Sequence, residues 1–242
     1  CCWMWRFYEF IKNWNIQNFT NEDWREEING EYTNKPLALK SLKKLFEILK
    51  SSNKYQEDII WILNLYQYAL KKLDNDIWLL REYTILLNKA NKTDEAIEIY
   101  KNIILELSDQ AYAWHEFANI FKHRNKLLSI SMLCKAITIQ PNEDFLGEIR
   151  LDLAELLLDN EQLKEGLIEL TKYKKHREEK GWKTPERFKI LFSKVSDIEC
   201  SSLDNKTFYE SSKLKAEEYI LSNIPSTYVV LYETFKNKEG KE

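Results

Sequence analysis

Three histidines, four cysteines and 39 acidic residues are the groups from which this chain could assemble reactive chemistry. His115 and His123 lie eight residues apart and share a helix face, but two turns separate them by about 12 Å, too far to hold one ion. His115-Glu116 has no second histidine four positions on, so the helical zinc-protease pattern fails. Cys1-Cys2 lacks the two-residue spacer of a zinc knuckle. Gly30, Gly147, Gly166, Gly181 and Gly240 are scattered, so no glycine loop could bring backbone N–H groups onto a phosphate. Ser129 and Ser131 have no glycine elbow, and Glu95, Glu98, Glu106, Glu155 and Glu169 read as a solvated outer face. No metal, no cofactor and no catalytic group are expected; an enzyme remains only if its active site lies outside these residues.

The elements that carry these residues are helices. Five glycines and four prolines in 242 residues leave few breakers, and 44% hydrophobic residues suffice for a core. A net charge of −3 gives no global sign of nucleic-acid affinity. Cys134 lies on a helix between Leu133 and Ala136, where a buried free thiol is expected, and a reducing cytoplasmic setting follows. No apolar run reaches the roughly 18 residues of a membrane span. The opening Cys-Cys-Trp-Met-Trp-Arg is no signal peptide, and the absent initiator Met points to a domain of a longer protein. The Asn, Lys and Ile bias suits an AT-rich bacterial genome.

Trp114, Phe117, Ala118 and Phe121 form one helical stripe, and Ser129, Leu133 and Ala136 another, ended by Pro141. The Arg124-Asn125-Lys126 break is too short for anything but a tight turn, so the two helices pack as a hairpin. Small residues at Ala118, Ser129 and Ala136 suit a close backbone approach. Trp114-x2-Phe117-Ala118-x2-Phe121 and Ser129-x3-Leu133-x2-Ala136-x4-Pro141 resemble the two halves of the tetratricopeptide repeat, with the inter-helix turn one residue short. Equivalent positions Ala69, Ile103, Ala136 and Tyr173 are 34, 33 and 37 residues apart, against a family period of about 34.

The resemblance implies an all-α fold: a right-handed superhelix of about four hairpins over residues 36–180. An N-terminal aromatic cap helix and connector take residues 1–35, and further helices take 181–225. The cap reading competes with an exposed aromatic patch for a partner. In the connector, Thr20-x-x-Asp23 is a helix-start signal, and Trp24 and Tyr32 are expected anchors. Residues 226–242 hold the one β run, Thr227–Phe235, either an edge that begins a following domain or a misread helix.

In the family the first helix of each repeat lines a concave groove. Carried over, this implies partner-reading residues Trp78, Arg81, Ile85, Asn88 and Lys89, then Tyr112, His115, Asn119, Lys122 and His123, then Glu148, Leu151, Glu155 and Asp159. His115 stands where a carboxylate clamp needs Lys, so that activity is not implied. The Arg81, Lys89 and Lys122 cluster reads equally as ordinary solvated charge. The function expected is a non-catalytic scaffold that binds a peptide or protein in the groove. The alternative is an RNA-associated regulatory module of a bacterial defence-type protein.

Overall fold

The structure, a computed structural model, describes residues 2–30, 32–51, 56–198 and 204–222. Among these residues it is all-α apart from one small sheet. The expected β run over 227–235, residues 52 and 53 of the turn expected at Ser51-Ser52-Asn53, and Cys200 lie outside them.

Helix α1 spans Cys2–Trp14, and a single turn of 3₁₀ helix follows at Ile16–Asn18. Tyr8 and Ile11 pack inward, but Trp3 is 62% exposed and Trp5 and Phe10 are also exposed, so only one face of α1 is buried. Thr20 donates its backbone N–H and hydroxyl to Asp23, yet the residues between form a turn and no helix grows from it. Instead β1 (Glu27–Asn29) pairs antiparallel with β2 (Tyr32–Asn34) about Gly30, whose φ of +65° suits glycine. Trp24 is buried as expected; Tyr32, on the outer face of β2, is 78% exposed and anchors nothing.

The helical series follows as α2 (Leu37–Ser51), α3 (Ile59–Lys72), α4 (Ile77–Lys89) and α5 (Thr93–Glu106). It continues with α6 (Ala111–Phe121), α7 (Lys126–Ile139), α8 (Gly147–Leu158) and α9 (Leu163–Glu179). Their ends are set by local chemistry. The side chain of Asp76 accepts from Leu79 N–H to start α4, and Asn125 accepts from Leu128 N–H to start α7. Asn91 and Glu161 sit at φ of about +60° beyond α4 and α8, and Gly181 at +68° beyond α9. At the last of these, Trp182 N–H bonds Arg177 C=O and Gly181 N–H bonds Glu178 C=O, the paired bonds that close a helix end. The shorter turn between α6 and α7 has no left-handed residue.

From α3 to α9 each helix packs on the next. Ser129 Oγ donates to Ala118 C=O at 2.8 Å, and Ala118 and Ala136 are fully buried, so the backbones of α6 and α7 approach closely there. At Gly166 a Cβ would come within 2.7 Å of Leu158 Cδ2, the same close approach between α8 and α9. The first pair is looser: α2 meets α3 and α4 mainly through side chains, with Tyr66 Oη donating to Leu42 C=O. α10 covers Glu186–Ser193, shorter than the helix expected to run to 200, and packs on α8 and α9 through Phe188 and Leu191.

α11 (Lys206–Leu221) does not extend the series. It folds back along α7, burying Ala216 and Ile220, with Lys135 bonded to Glu217 at 2.5 Å and Tyr219 edge-on to Phe121. α7 is thereby enclosed by α6, α8 and α11, which is why residues on all its sides are buried. Among them is Cys134, a free thiol whose ionisation burial suppresses. No helix among the described residues is long and apolar enough to cross a membrane.

Candidate functional site

The helices α4, α6, α8 and α10 stand side by side, and charged residues between their packing positions meet across the seams. Arg81 donates two bonds to Glu116, at 2.9 and 2.6 Å, and its guanidinium packs beside the neighbouring rings of Trp78 and Tyr112. His115 Nε2 is 2.5 Å from Asp152, and Lys122 Nζ is 2.6 Å from Glu155. Arg187 of α10 bonds both Asp152 and Glu155. Burial opposes ionisation of Asp152, but the bonds from His115 and Arg187 prevail and hold its carboxyl at about 2. His115, Lys122 and Arg187 therefore satisfy the carboxylates of α8, Asp152 and Glu155.

The remaining expected groove residues divide in two. Lys89 donates to Leu49 C=O at 2.8 Å, fastening α4 to the end of α2, and Asn88 accepts from Thr93 Oγ1 in the turn to α5. Leu151 is a core residue, and Asp159 lies 3.9 Å from Lys126. Asn119 is exposed, and His123 falls beyond α6 in an exposed turn, off the helix face it was expected to share with His115. Glu148 is largely exposed and Ile85 half-buried. Among the described residues no group of three His, Cys, Asp or Glu could hold a metal ion.

Open space lies at one end of this face. A cleft of about 400 Å³ separates α2 from α4 and reaches Glu116 of α6. Its α2 wall carries Lys40, Lys43, Glu47 and Lys50, with Lys35 just before the helix and Leu39 and Phe46 between the charges. Its α4 wall carries Trp78, Arg81, Glu82 and Ile85. Glu82 is half-buried and accepts a bond from Tyr66 Oη at 2.9 Å; burial, only partly offset by Tyr66 and Lys43, pushes its carboxyl up to about 7. Trp78 is 46% exposed and leaves part of its ring free to pack. Sequence reasoning found Trp78, Arg81 and Ile85 but missed the α2 wall. The signal was there: Lys40, Lys43 and Lys50 fall on one stripe of α2.

A second cleft, of about 330 Å³, lies between the start of α8 and the end of α9, with Phe145 and Trp182 exposed beside it. Several of its polar groups are occupied internally: Arg150 holds Glu143, and Lys180 holds Asp144.

The chain belongs to the family described as "Domain of unknown function (DUF7017)", whose model matches residues 77–216. The match opens at the first residue of α4 and closes within α11, so it takes in the returning helix and leaves the α2 wall of the cleft outside. No curated protein matches the chain.

Proposed function

We propose that this chain is a non-catalytic scaffold, a tetratricopeptide-like right-handed superhelix that holds a peptide or protein segment on the face formed by α2, α4 and α6. The observation that carries the reading is the α2–α4 cleft, where ammonium groups and apolar surface alternate along one wall and an exposed tryptophan stands on the other. The ten steps from Lys40 to Lys50 rise about 15 Å along α2, the reach of four or five residues of extended chain. Arg81, Lys89 and Lys122 are already matched by carboxylates or backbone carbonyls. Recognition therefore falls to the α2 lysines and the rings of Trp78 and Tyr112.

The test is selection of binders from a displayed random peptide library on the immobilised domain, followed by anisotropy titration of labelled winners. Lys43→Glu/Lys50→Glu is expected to weaken them at least roughly tenfold, about 1.4 kcal/mol, with an unchanged circular dichroism spectrum. A library that yields no binder, or winners indifferent to the double variant, would sink the peptide-site reading.

A further inference from the structure

We propose that the α2–α4 cleft selects an acidic segment, and that Glu82 takes up a proton when a carboxylate of that segment seats beside it. The inference rests on reading the cleft as a peptide site. Four lysines, Lys35, Lys40, Lys43 and Lys50, face the cleft, and the one arginine in it is matched by Glu116. Glu47 and Glu82 are the acids left against them. An entering acidic segment runs past ammonium groups along the α2 wall and meets Glu47 on that wall and the Glu82 side chain at depth.

The geometry around Glu82 accommodates a proton. Tyr66 Oη has a single hydrogen and two acceptors in reach, Glu82 at 2.9 Å and Leu42 C=O at 3.2 Å. An ionised Glu82 competes for that hydrogen. A protonated Glu82 can donate to the phenol oxygen and release the Tyr66 hydrogen to the Leu42 carbonyl, so both acceptors are served. The charged groups around Glu82 are Lys43 and Glu47 from α2, Arg81 from its own helix and Glu116 across the cleft, with the Tyr66 phenol from α3. Glu82, held near 7 by burial and bonded to the Tyr66 phenol at the cleft wall, changes charge between pH 6 and 8. An added anion lifts its carboxyl further. Binding is therefore tighter at low pH and weakens as pH rises through the bound-state value.

The experiment is calorimetric titration of the full 242-residue chain with a short acidic peptide, Asp-Glu-Leu-Asp-Glu. The Asn/Gln isostere and a lysine counterpart serve as comparisons, at about pH 6 and about pH 8, which bracket the carboxyl. Repeating it in buffers of different ionisation enthalpy counts protons without any variant. Expected are roughly tenfold tighter acidic-peptide binding at the lower pH, net proton uptake, and in Glu82→Gln a pH-independent affinity equal to the tight one. Affinity and proton count that ignore pH would overturn the proposal, as would a Glu82→Gln protein, folded by circular dichroism, that keeps the pH dependence. If the neutral or basic peptide binds as well as the acidic one, the selectivity is wrong while the peptide site stands. If library-selected peptides also fail to bind, the peptide-site reading fails with it.

Discussion

Arg81–Glu116 and Arg150–Glu169 each join neighbouring helices in this molecule, and the two pairs do opposite things. Arg81–Glu116 ties α4 to α6 at the edge of an open cleft; its side chains keep 15% and 19% of their exposure, and two aromatic rings lie beside the guanidinium. Arg150–Glu169 ties α8 to α9 with 4% and 0% exposure, and Glu143, Tyr209 and Asn205 complete its bonding. Tyr209 and Asn205 belong to the returning α11 and the residue before it, so this second pair is the point at which that helix is fastened. The same two side chains make a rim in one place and a lock in the other. The difference is how much water the neighbours exclude.

Breaking the lock has the largest expected effect. Arg150→Ala leaves Glu169 buried without its cation, at a cost of about 3–5 kcal/mol in thermal or urea unfolding. Arg150→Met/Glu169→Met removes both charges and is expected to recover most of that loss. If the double variant is as unstable as the single one, the pair acts through packing and not through charge.

The next effect belongs to the cleft. The carboxyl of Glu82 is raised to about 7 in the folded protein, against about 4.3 in an unfolded chain. The native state therefore binds more protons between those values, and stability falls as pH climbs through that window. Glu82→Gln is expected to raise stability at about pH 8 by about 2 kcal/mol, less than the full linkage value because the side chain is partly solvated. The gain shrinks toward zero near pH 4. An equal gain at both pH values would remove proton linkage as its cause.

Breaking the rim is the mildest change. Arg81→Ala is expected to cost about 1 kcal/mol, because solvent reaches both partners, and to loosen Trp78, visible as faster acrylamide quenching of a fluorophore set of eight tryptophans. A loss as large as that of Arg150→Ala would erase the distinction between the two pairs.

The local grammar was legible. Ala118, Ser129 and Ala136 marked the tight crossing of α6 and α7, where Ser129 now bonds the Ala118 carbonyl. The helices α6 and α7 flank the Arg124–Lys126 break much as the spacing put them, because a period of 3.6 is a property of neighbouring residues. The short β1–β2 hairpin escaped notice, since strands of three residues carry too little alternation to register.

The site divides along the same line. The resemblance to the repeat family put Arg81, His115 and Lys122 on one face, but nothing local says that the partners stand 35, 37 and 33 residues away in Glu116, Asp152 and Glu155. It could not say that Leu151 turns inward, or that α11 passes back over α7 instead of extending the row. The sequence by itself determined where helices form and which stripe of each is apolar. Only the tertiary structure decided which charges are spent on one another and which face the cleft, because desolvation and ion pairing depend on what the fold brings within a few ångströms.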